Sequence, residues 1–255
     1  MLINTETATR PVRGIPFTRF LGDLNRKTIL LISTSPIAPR HTSARQPQDA
    51  FYKVSNKIKA SDLHLVTRSP VLESIQQDLN CVFPIERLRE LAELGYILAT
   101  TTNHICLDST HLITKNVRGD LALKIAELVE AEEADGAVVL GAGVLGHRNS
   151  AIIQKAVEDR GIPSVTISQY PRLSRLYHVS RIVYPVGFIP GHIVGPPNNQ
   201  ELQRKVLFDA IQFLSVATGP LSVIEKEYPE YPIHSTKKRF QFWDQSRYWR
   251  NKAVS

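Results

Sequence analysis

Apolar and polar positions follow two different periods along this chain from residue 28 onward. Runs of β-branched and aliphatic residues predict strands, and apolar positions that recur every three to four residues predict amphipathic helices. The predicted strands are residues 28–33, 63–67, 96–100, 137–140, 164–168 and 181–183, and the predicted helices begin near residue 84 or span 118–134, 146–160 and 201–217. Strands that alternate with helices are typical of parallel sheets with crossover helices. We therefore predict an α/β fold with two Rossmann-like lobes and mainly parallel sheets.

This rhythm also suggests how the 255 residues are divided. Residues 1–27 form an N-terminal arm, 28–115 a first α/β lobe, and 116–224 a second lobe that contains the glycine-rich loop 141–146. The remaining residues, 225–255, form a C-terminal extension in which basic and aromatic residues are interleaved. A chain of this length can bury one large core or two smaller ones.

The net charge of +7 comes from the two ends of the chain. Lysine and arginine outnumber aspartate and glutamate by eight to three in residues 1–53 and by seven to four in residues 225–255, whereas the residues between are close to neutral. Surfaces that are basic and aromatic can stack single-stranded nucleic acid, but no nucleic-acid recognition motif accompanies this extension. We expect the extension to pack on its own domain or on a sister subunit, and we expect no nucleic-acid partner.

The chain lacks the sequence features of exported and membrane proteins. It has no run of about 20 apolar residues, as a membrane span requires, and no apolar stretch of a signal peptide near residue 1. The two cysteines do not form a disulfide framework, and the eight histidines lack the spacing of metal ligands. These features predict a cytoplasmic protein without a structural disulfide or a bound metal.

A glycine-rich loop between a predicted strand and a predicted helix is the most informative segment. Gly141, Gly143 and Gly146 form G-x-G-x-x-G in the strand–helix setting of dinucleotide-binding proteins. The end of the next strand lacks the acidic residue that binds the ribose of NAD, but Arg172 could meet the 2′-phosphate of NADP. An NADP-dependent oxidoreductase is therefore one alternative. On any interpretation, the free amides that open the helix favour a phosphate or a carboxylate.

Several separate segments resemble the component B family of the glycine, sarcosine and betaine reductases, which includes selenoprotein B and D-proline reductase subunits. Residues 78–91, D-L-N-C-V-F-P-I-E-R-L-R-E-L, resemble the family pattern D-P-N-x-V-F-P-hydrophobic-acidic-R-L-R-x-L, with leucine in place of the proline. His104 falls where the family has a histidine after the next strand. Residues 187–197, followed by Gln203 and Arg204, are similar to a closing glycine- and proline-rich segment and its helix.

The resemblance assigns a specific chemistry to the glycine loop. Relatives carry a selenocysteine or cysteine and then a second cysteine in this loop, often followed by histidine. Those positions fall on Gly143, Gly146 and His147, so only the histidine remains. The family cleaves C–N bonds of amino acids or amines through a selenolate or thiolate, and glycine offers neither a nucleophile nor a redox couple. The resemblance therefore implies a divergent member without the reactive chalcogen.

The remaining candidate residues lie at predicted strand ends and in the glycine loop. Cys106 follows His104 by two residues, so the two could form an activated thiolate pair, although a buried inert cysteine is the alternative. His147 begins the helix after the glycine loop and could serve as a neutral donor or acceptor. His192 lies in a glycine- and proline-rich loop that acts as a lid or as a rigid turn. The predicted substrate-binding residues are Gly143, Gly146, Arg148, Asn149, Ser33, Thr34, Thr102 and Asn103.

Three functional hypotheses follow from these observations. The first is a reductase component B-like subunit that binds a small amino-acid-like substrate within a hetero-oligomer, where a homologous subunit supplies the thiol; a homo-oligomer is the other assembly considered. The second is a repurposed stand-alone enzyme that uses His104, Cys106 and His147 on an amino-acid derivative. The third is the NADP-dependent oxidoreductase.

Overall fold

A computed structural model describes residues 14–40, 51–66, 70–107, 115–141 and 143–231 of the chain. The strands of this part are β1 (Thr28–Ser33), β2 (Ile37–Pro39), β3 (Phe51–Ser55), β4 (Leu63–Leu65), β5 (Ala99–Thr100), β6 (Asn103–Leu107), β7 (Gly136–Leu140), β8 (Ser164–Ile167), β9 (Arg181–Pro185) and β10 (Ser222–Lys226). The α-helices are α1 (Pro70–Glu73), α2 (Ile85–Glu93), α3 (Lys115–Ala131), α4 (Gly143–Asp159), α5 (Pro171–Leu176) and α6 (Gln200–Val216). Short 3-10 helices occupy Leu24–Arg26, Ala60–Asp62 and Leu79–Cys81.

One mainly parallel sheet organises the described residues. Its strand order is β10-β9-β8-β7-β1-β6-β3, with β5 also paired to β1, and within it only β3 runs antiparallel to its neighbour. Strands β2 and β4 form a separate antiparallel pair. The predicted α/β fold with mainly parallel strands is therefore confirmed.

The two predicted lobes share this sheet, because β1 pairs with β6 from the first range and with β7 from the second. Residues 29–33 of β1 are fully buried. A strand that is apolar on both faces is stable in the middle of a parallel sheet, where both edges find partners and helices cover both faces.

Helices cover the sheet on both sides because neighbouring residues of each strand point to opposite faces. Leu30 and Ile32 of β1 belong to a core cluster with α3 and α4, whereas Ile29 and Leu31 belong to a second cluster with α2 and α6. The predicted helices near 84, 118–134, 146–160 and 201–217 correspond to these four helices, with ends shifted by a few residues.

Several elements differ from the predictions. The predicted strand 63–67 is shorter and lies in the small sheet, and the predicted strand 96–100 is reduced to β5. Strand β10 crosses the predicted start of the extension at residue 225, because Glu225 and Lys226 pair with Tyr184 and Pro185 of β9. Most of the predicted extension, residues 232–255, and residues 1–13 of the arm lie outside the described residues.

The strand order places a topological switch point beside β1. The chain passes from β1 to β6 on one side and then to β7 on the other side. Open α/β sheets bind ligands at the carboxyl ends of the strands where the order reverses. The residues that follow β1, β7 and β8 are therefore the expected location of a functional site.

Candidate functional site

The residues that follow β1 bind the end of β7 and the helix after it. The Thr34 amide donates to the Leu140 carbonyl oxygen at 2.8 Å, and the Thr34 hydroxyl lies 2.9 Å from the Gly146 carbonyl oxygen and 3.2 Å from Ser150 Oγ. The Ser33 hydroxyl donates to the Val82 carbonyl oxygen at 2.9 Å. Ser33 and Thr34, both predicted to bind substrate, are fully buried and connect segments of the chain at this edge.

Two glycines of the glycine-rich loop allow an unusually close approach of backbone to side chains. A Cβ at Gly141 would lie 2.5 Å from Ser150 Oγ, and a Cβ at Gly146 would lie 3.1 Å from Thr34 Oγ1. The same Cβ at Gly146 would lie 3.3 Å from the carbonyl carbon of Gly141. A side chain at either position requires its neighbours to move. Gly143, the third predicted position, is the first residue of α4.

His147 joins the first turns of α4 to the segment after β8. Its side chain is fully buried, and Nε2 accepts a hydrogen bond of 2.9 Å from the Gln169 amide. The ring also meets Tyr170 edge to face, with 4.7 Å between the ring centroids. The next residue, Arg148, lies over the Tyr177 ring at 5.9 Å. Asn149 is buried in the same helix.

His104 lies within the sheet and has a structural hydrogen bond. Strand β1 pairs with β5 at its start and with β6 at its end, and in the gap between them His104 Nδ1 accepts the Leu31 amide at 3.0 Å. Burial lowers the pKa of His104 to about 3, against a smaller opposite effect of Glu132. The imidazole therefore stays neutral and replaces a missing backbone acceptor. This environment does not support the predicted catalytic role of His104.

Cys106 lies on the same strand and is fully buried in the core between the sheet and α2. Burial raises the pKa of its thiol. The predicted activated thiolate is therefore not supported, because activation requires a lowered pKa and access to solvent. Cys81 is also fully buried, and burial together with the charge of Asp78 raises its pKa.

Thr102 and Asn103 do not lie at a carboxyl edge of the sheet. They fall in and after the short interruption between β5 and β6, which both run parallel to β1. Asn103 binds the Glu132 carboxylate through its backbone amide and its side-chain amide, each at 2.8 Å. The prediction placed these residues after a strand, whereas the chain continues in the same direction into β6. Their predicted role in binding substrate at the strand ends is therefore not supported.

A second polar cluster lies after β8 and in the loop 187–197. The Tyr231 hydroxyl is 3.0 Å from His192 Nδ1 and accepts the Ile189 amide at 3.1 Å. The Gln169 side-chain amide and the His192 backbone amide both donate to the Ile189 carbonyl oxygen. Burial lowers the pKa of His192 to about 4. His192 Nε2 and Gln169 Oε1 are buried, and neither has a hydrogen-bond partner among the described residues.

The segment 78–91 ties this loop to β1 and α6. The Asp78 carboxylate accepts the amides of Asn80 and Asn198 and the side-chain amide of Gln203, at distances of 2.8–3.0 Å. Burial alone would raise the pKa of Asp78, but these hydrogen bonds lower it overall. The Val194 amide donates to the Cys81 carbonyl oxygen at 3.2 Å. These contacts attach the loop 187–197 and the residues directly after it to the segment that begins at Asp78.

The sequence pattern assigns the glycine loop and the end of β1 to different predicted lobes, whereas the structure brings them together, and the pattern does not indicate part of this environment. It gave no role to Gln169 or Tyr231 and left His192 between a lid and a rigid turn. Polar residues directly after β8 would have indicated Gln169, since strand ends meet at one edge of a parallel sheet. Nothing in the sequence indicated that Tyr231, 39 residues away, would meet His192.

Two further findings concern the described residues as a group. No three histidine, cysteine, aspartate or glutamate side chains among them converge to hold a metal ion. No helix in the same part of the chain is long and apolar enough to cross a membrane.

Comparison with known proteins gives one significant relative. The chain is 30% identical over 141 residues to the D-proline reductase subunit gamma of Acetoanaerobium sticklandii. The match covers 55% of this chain and 57% of the relative, so the chain spans little more than half the length of the protein it matches. No family model and no solved structure matches. The relative agrees with the resemblance seen in the sequence, and over this part of its length the chain is similar to a D-proline reductase subunit.

Proposed function

We propose that this chain is a reductase component B-like subunit that has lost the redox-active selenocysteine or cysteine site. On this proposal it binds a small amino-acid-like substrate and acts in a hetero-oligomer with a homologous subunit that supplies the thiol. Its location would be the cytoplasm. The relationship to a D-proline reductase subunit supports the reductase-like part of the proposal.

The packing around Gly146 is the main support for the proposed loss of the redox site. This glycine occupies the position that the resemblance assigns to the second cysteine, and a Cβ there would press on Thr34 Oγ1 at 3.1 Å. Both cysteines that the chain does contain are fully buried, with pKa values raised by burial. The chain therefore offers no accessible thiolate to a substrate, and a reductive step requires a thiol from elsewhere.

The same environment argues against the stand-alone enzyme. His104 binds the Leu31 amide inside the sheet, and Cys106 lies in the core. His147 remains at the switch point, where it binds the Gln169 amide. In our proposal His147 positions the segment after β8, with Arg148, Asn149 and the backbone at Gly143 and Gly146 near the ligand.

Purification of the tagged chain from its native host tests the proposal. We expect a homologous polypeptide with a C-x-x-C-H or selenocysteine-containing loop to co-purify, and mass spectrometry identifies it. The complex, supplied with a dithiol, should cleave glycine, sarcosine, betaine or D-proline, and the isolated chain should not. Cleavage of any of these compounds by the isolated chain would overturn the proposal, as would a chain that purifies without such a homologue.

A comparison of NADPH and NADH binding tests the alternative that the chain is an NADP-dependent oxidoreductase. We expect the intrinsic fluorescence of the isolated chain to be unchanged by NADPH or NADH. Saturable quenching by NADPH but not by NADH would favour the alternative.

A further inference from the structure

A buried histidine and a half-buried glutamine that both bind Ile189 each leave one buried polar atom without a hydrogen-bond partner among the described residues. His192 is only 7% exposed, and its Nε2 has no partner among the described residues. Gln169 Oε1 is likewise buried and unpaired. A buried polar atom without a hydrogen bond is costly, so such an atom is normally paired with a bound molecule or an ordered water.

Hydrogen bonding fixes the tautomer of His192. The Tyr231 oxygen accepts the Ile189 amide, so the phenol proton is free to donate to His192 Nδ1. This arrangement pairs the phenol proton, the phenol oxygen and His192 Nδ1, whereas the reverse direction would leave the phenol proton unpaired as well as Nε2. Burial raises the pKa of Tyr231 and lowers that of His192, so both groups stay neutral near pH 7. Nε2 therefore carries the imidazole proton and is a donor.

Hydrogen bonding also fixes the orientation of the Gln169 amide. Its nitrogen faces the Ile189 carbonyl oxygen, which is an acceptor, so the amide cannot be reversed without placing two oxygens together. Oε1 is therefore an acceptor. The His192 backbone amide binds the same carbonyl oxygen, so the His192 backbone and the Gln169 side chain meet at Ile189.

We propose that His192 and Gln169 form a donor–acceptor pair that recognises a ligand by its carboxylate and its N–H group. This inference rests on the proposed function and refines it. His192 Nε2–H donates to a carboxylate oxygen, and Gln169 Oε1 accepts from the amine. A primary or secondary amino acid satisfies both groups, whereas a quaternary ammonium compound leaves Gln169 unpaired. Gln169 thus determines specificity, and Tyr231 positions the histidine.

Calorimetric titration of the isolated full chain tests the pair directly. Glycine, sarcosine and D-proline each carry an N–H group, and betaine is the matched ligand without one. We expect at least one of the first three to bind with a Kd at least tenfold below that of betaine. Equal affinities for all four, or no binding of any of them, would overturn the proposal and would leave the two unpaired atoms to bound water.

Two variants separate the roles of the two residues. Gln169→Leu should weaken the amine ligands about tenfold and leave betaine unchanged, because the N–H contact is the only contact with the ligand that it removes. The bond to the Ile189 carbonyl oxygen is also lost, but that oxygen still accepts the His192 amide. His192→Phe should weaken all four ligands, because the carboxylate contact is common to them. Gln212→Leu, at an exposed position of α6, is the control and should bind as the parent does.

These outcomes are distinct from those of the proposed function. Binding by the isolated chain does not depend on a companion subunit, so failure to co-purify a homologue would leave the pair intact. If circular dichroism shows that His192→Phe does not fold, titration of Gln169→Leu with the four ligands still tests the donor–acceptor pair. A Gln169→Leu variant that binds amine ligands and betaine as the parent does would refute the pair.

Discussion

At the scale of single residues, the glycine loop depends on the absence of two β-carbons. The hydroxyl of Ser150, which donates to the Gly146 carbonyl oxygen, leaves no space for a side chain at Gly141. The conformation is therefore set by a contact between the loop and its own helix. Glycine here is a packing requirement, whether or not a ligand binds.

Gly141→Ala should destabilise the protein, because its Cβ would lie 2.5 Å from Ser150 Oγ. Overpacking of this kind typically costs about 1–3 kcal/mol, which urea denaturation measures. Adding Ser150→Ala should recover part of the loss. Gly219→Ala is the control, since a Cβ there meets nothing within 4 Å. If Gly141→Ala is as stable as the parent, the close approach is not as we describe it.

The buried His104 should make stability depend on pH. Its pKa is about 3 in the folded protein and near 6.5 in the unfolded chain, so below pH 6.5 only the unfolded chain takes up the proton. The free energy of unfolding should therefore fall as the pH falls from 6.5 towards 3, by an amount on the order of 3–5 kcal/mol in total.

Urea denaturation from pH 7 to pH 4 checks this dependence. His104→Asn keeps an acceptor for the Leu31 amide but cannot titrate, so its stability should change less over this range. His178→Asn, at an exposed position, should keep the slope of the parent. Parallel slopes for the parent and His104→Asn would contradict the prediction.

At the scale of elements, an ion pair fixes the N-terminal segment to the start of β8 and β9. Arg181 Nη1 lies 2.7 Å from Glu158 Oε1, and both side chains are fully buried. Glu158 also accepts the amides of Thr18 and Ser164, and the Arg181 guanidinium lies over the Phe17 ring at 4.0 Å. Residues 17 and 18 thus cover charges that would otherwise be costly to bury.

Glu158→Gln should cost about 3–5 kcal/mol, because it leaves the Arg181 charge buried without its partner. The exposed pair of Arg160 and Glu130 is a matched control, and Glu130→Gln should change stability by less than about 1 kcal/mol. Thermal and urea unfolding of both variants measure the difference. Similar losses for the two variants would show that burial does not decide the effect.

The elements that the sequence predicted well are those with a long, one-sided or wholly apolar pattern. Strand β1 and helices α3, α4 and α6 were located to within about three residues. Strand β6 was missed, because its polar Asn103 and His104 resemble a loop, and their role depends on Glu132 and Leu31 from distant segments. Hydrogen bonds between residues far apart in the sequence leave no local pattern from which they could be predicted.

The candidate site was predicted only in part for the same reason. Strand ends pointed to Ser33, Thr34 and the glycine loop, whose role in binding stays a prediction, whereas the cluster of His192 and Tyr231 forms from residues that follow β9 and β10. The motif at residues 78–91 indicated ancestry, but its hydrogen bonds show a structural role in holding the loop 187–197.

At the scale of the whole molecule, one sheet joins both halves of the chain. Strand β1 pairs with β7 over five residues, from Ile29 to Ser33, and its other edge pairs with β5 and β6. Separate unfolding of the second half would expose the edge of this buried strand that pairs with β7. The described residues should therefore unfold as one cooperative unit.

Urea unfolding should show a single transition. The far-ultraviolet circular dichroism signal should change together with the loss of amide protection in β6 and β8, because both strands belong to one sheet. Hydrogen exchange with mass spectrometry follows the two strands separately. Loss of protection in β6 at a lower urea concentration than in β8 would instead indicate two independent lobes.

The complete burial of both sulfur atoms has a practical consequence for any assembly that contains this chain. Cys81 and Cys106 are each 0% exposed, so alkylating reagents such as iodoacetamide should not modify the native polypeptide. In the assembly that we propose, adducts that form within minutes would then lie on the companion subunit and not on this chain. Labelling could thus identify the electron-donating component before the assembly is taken apart.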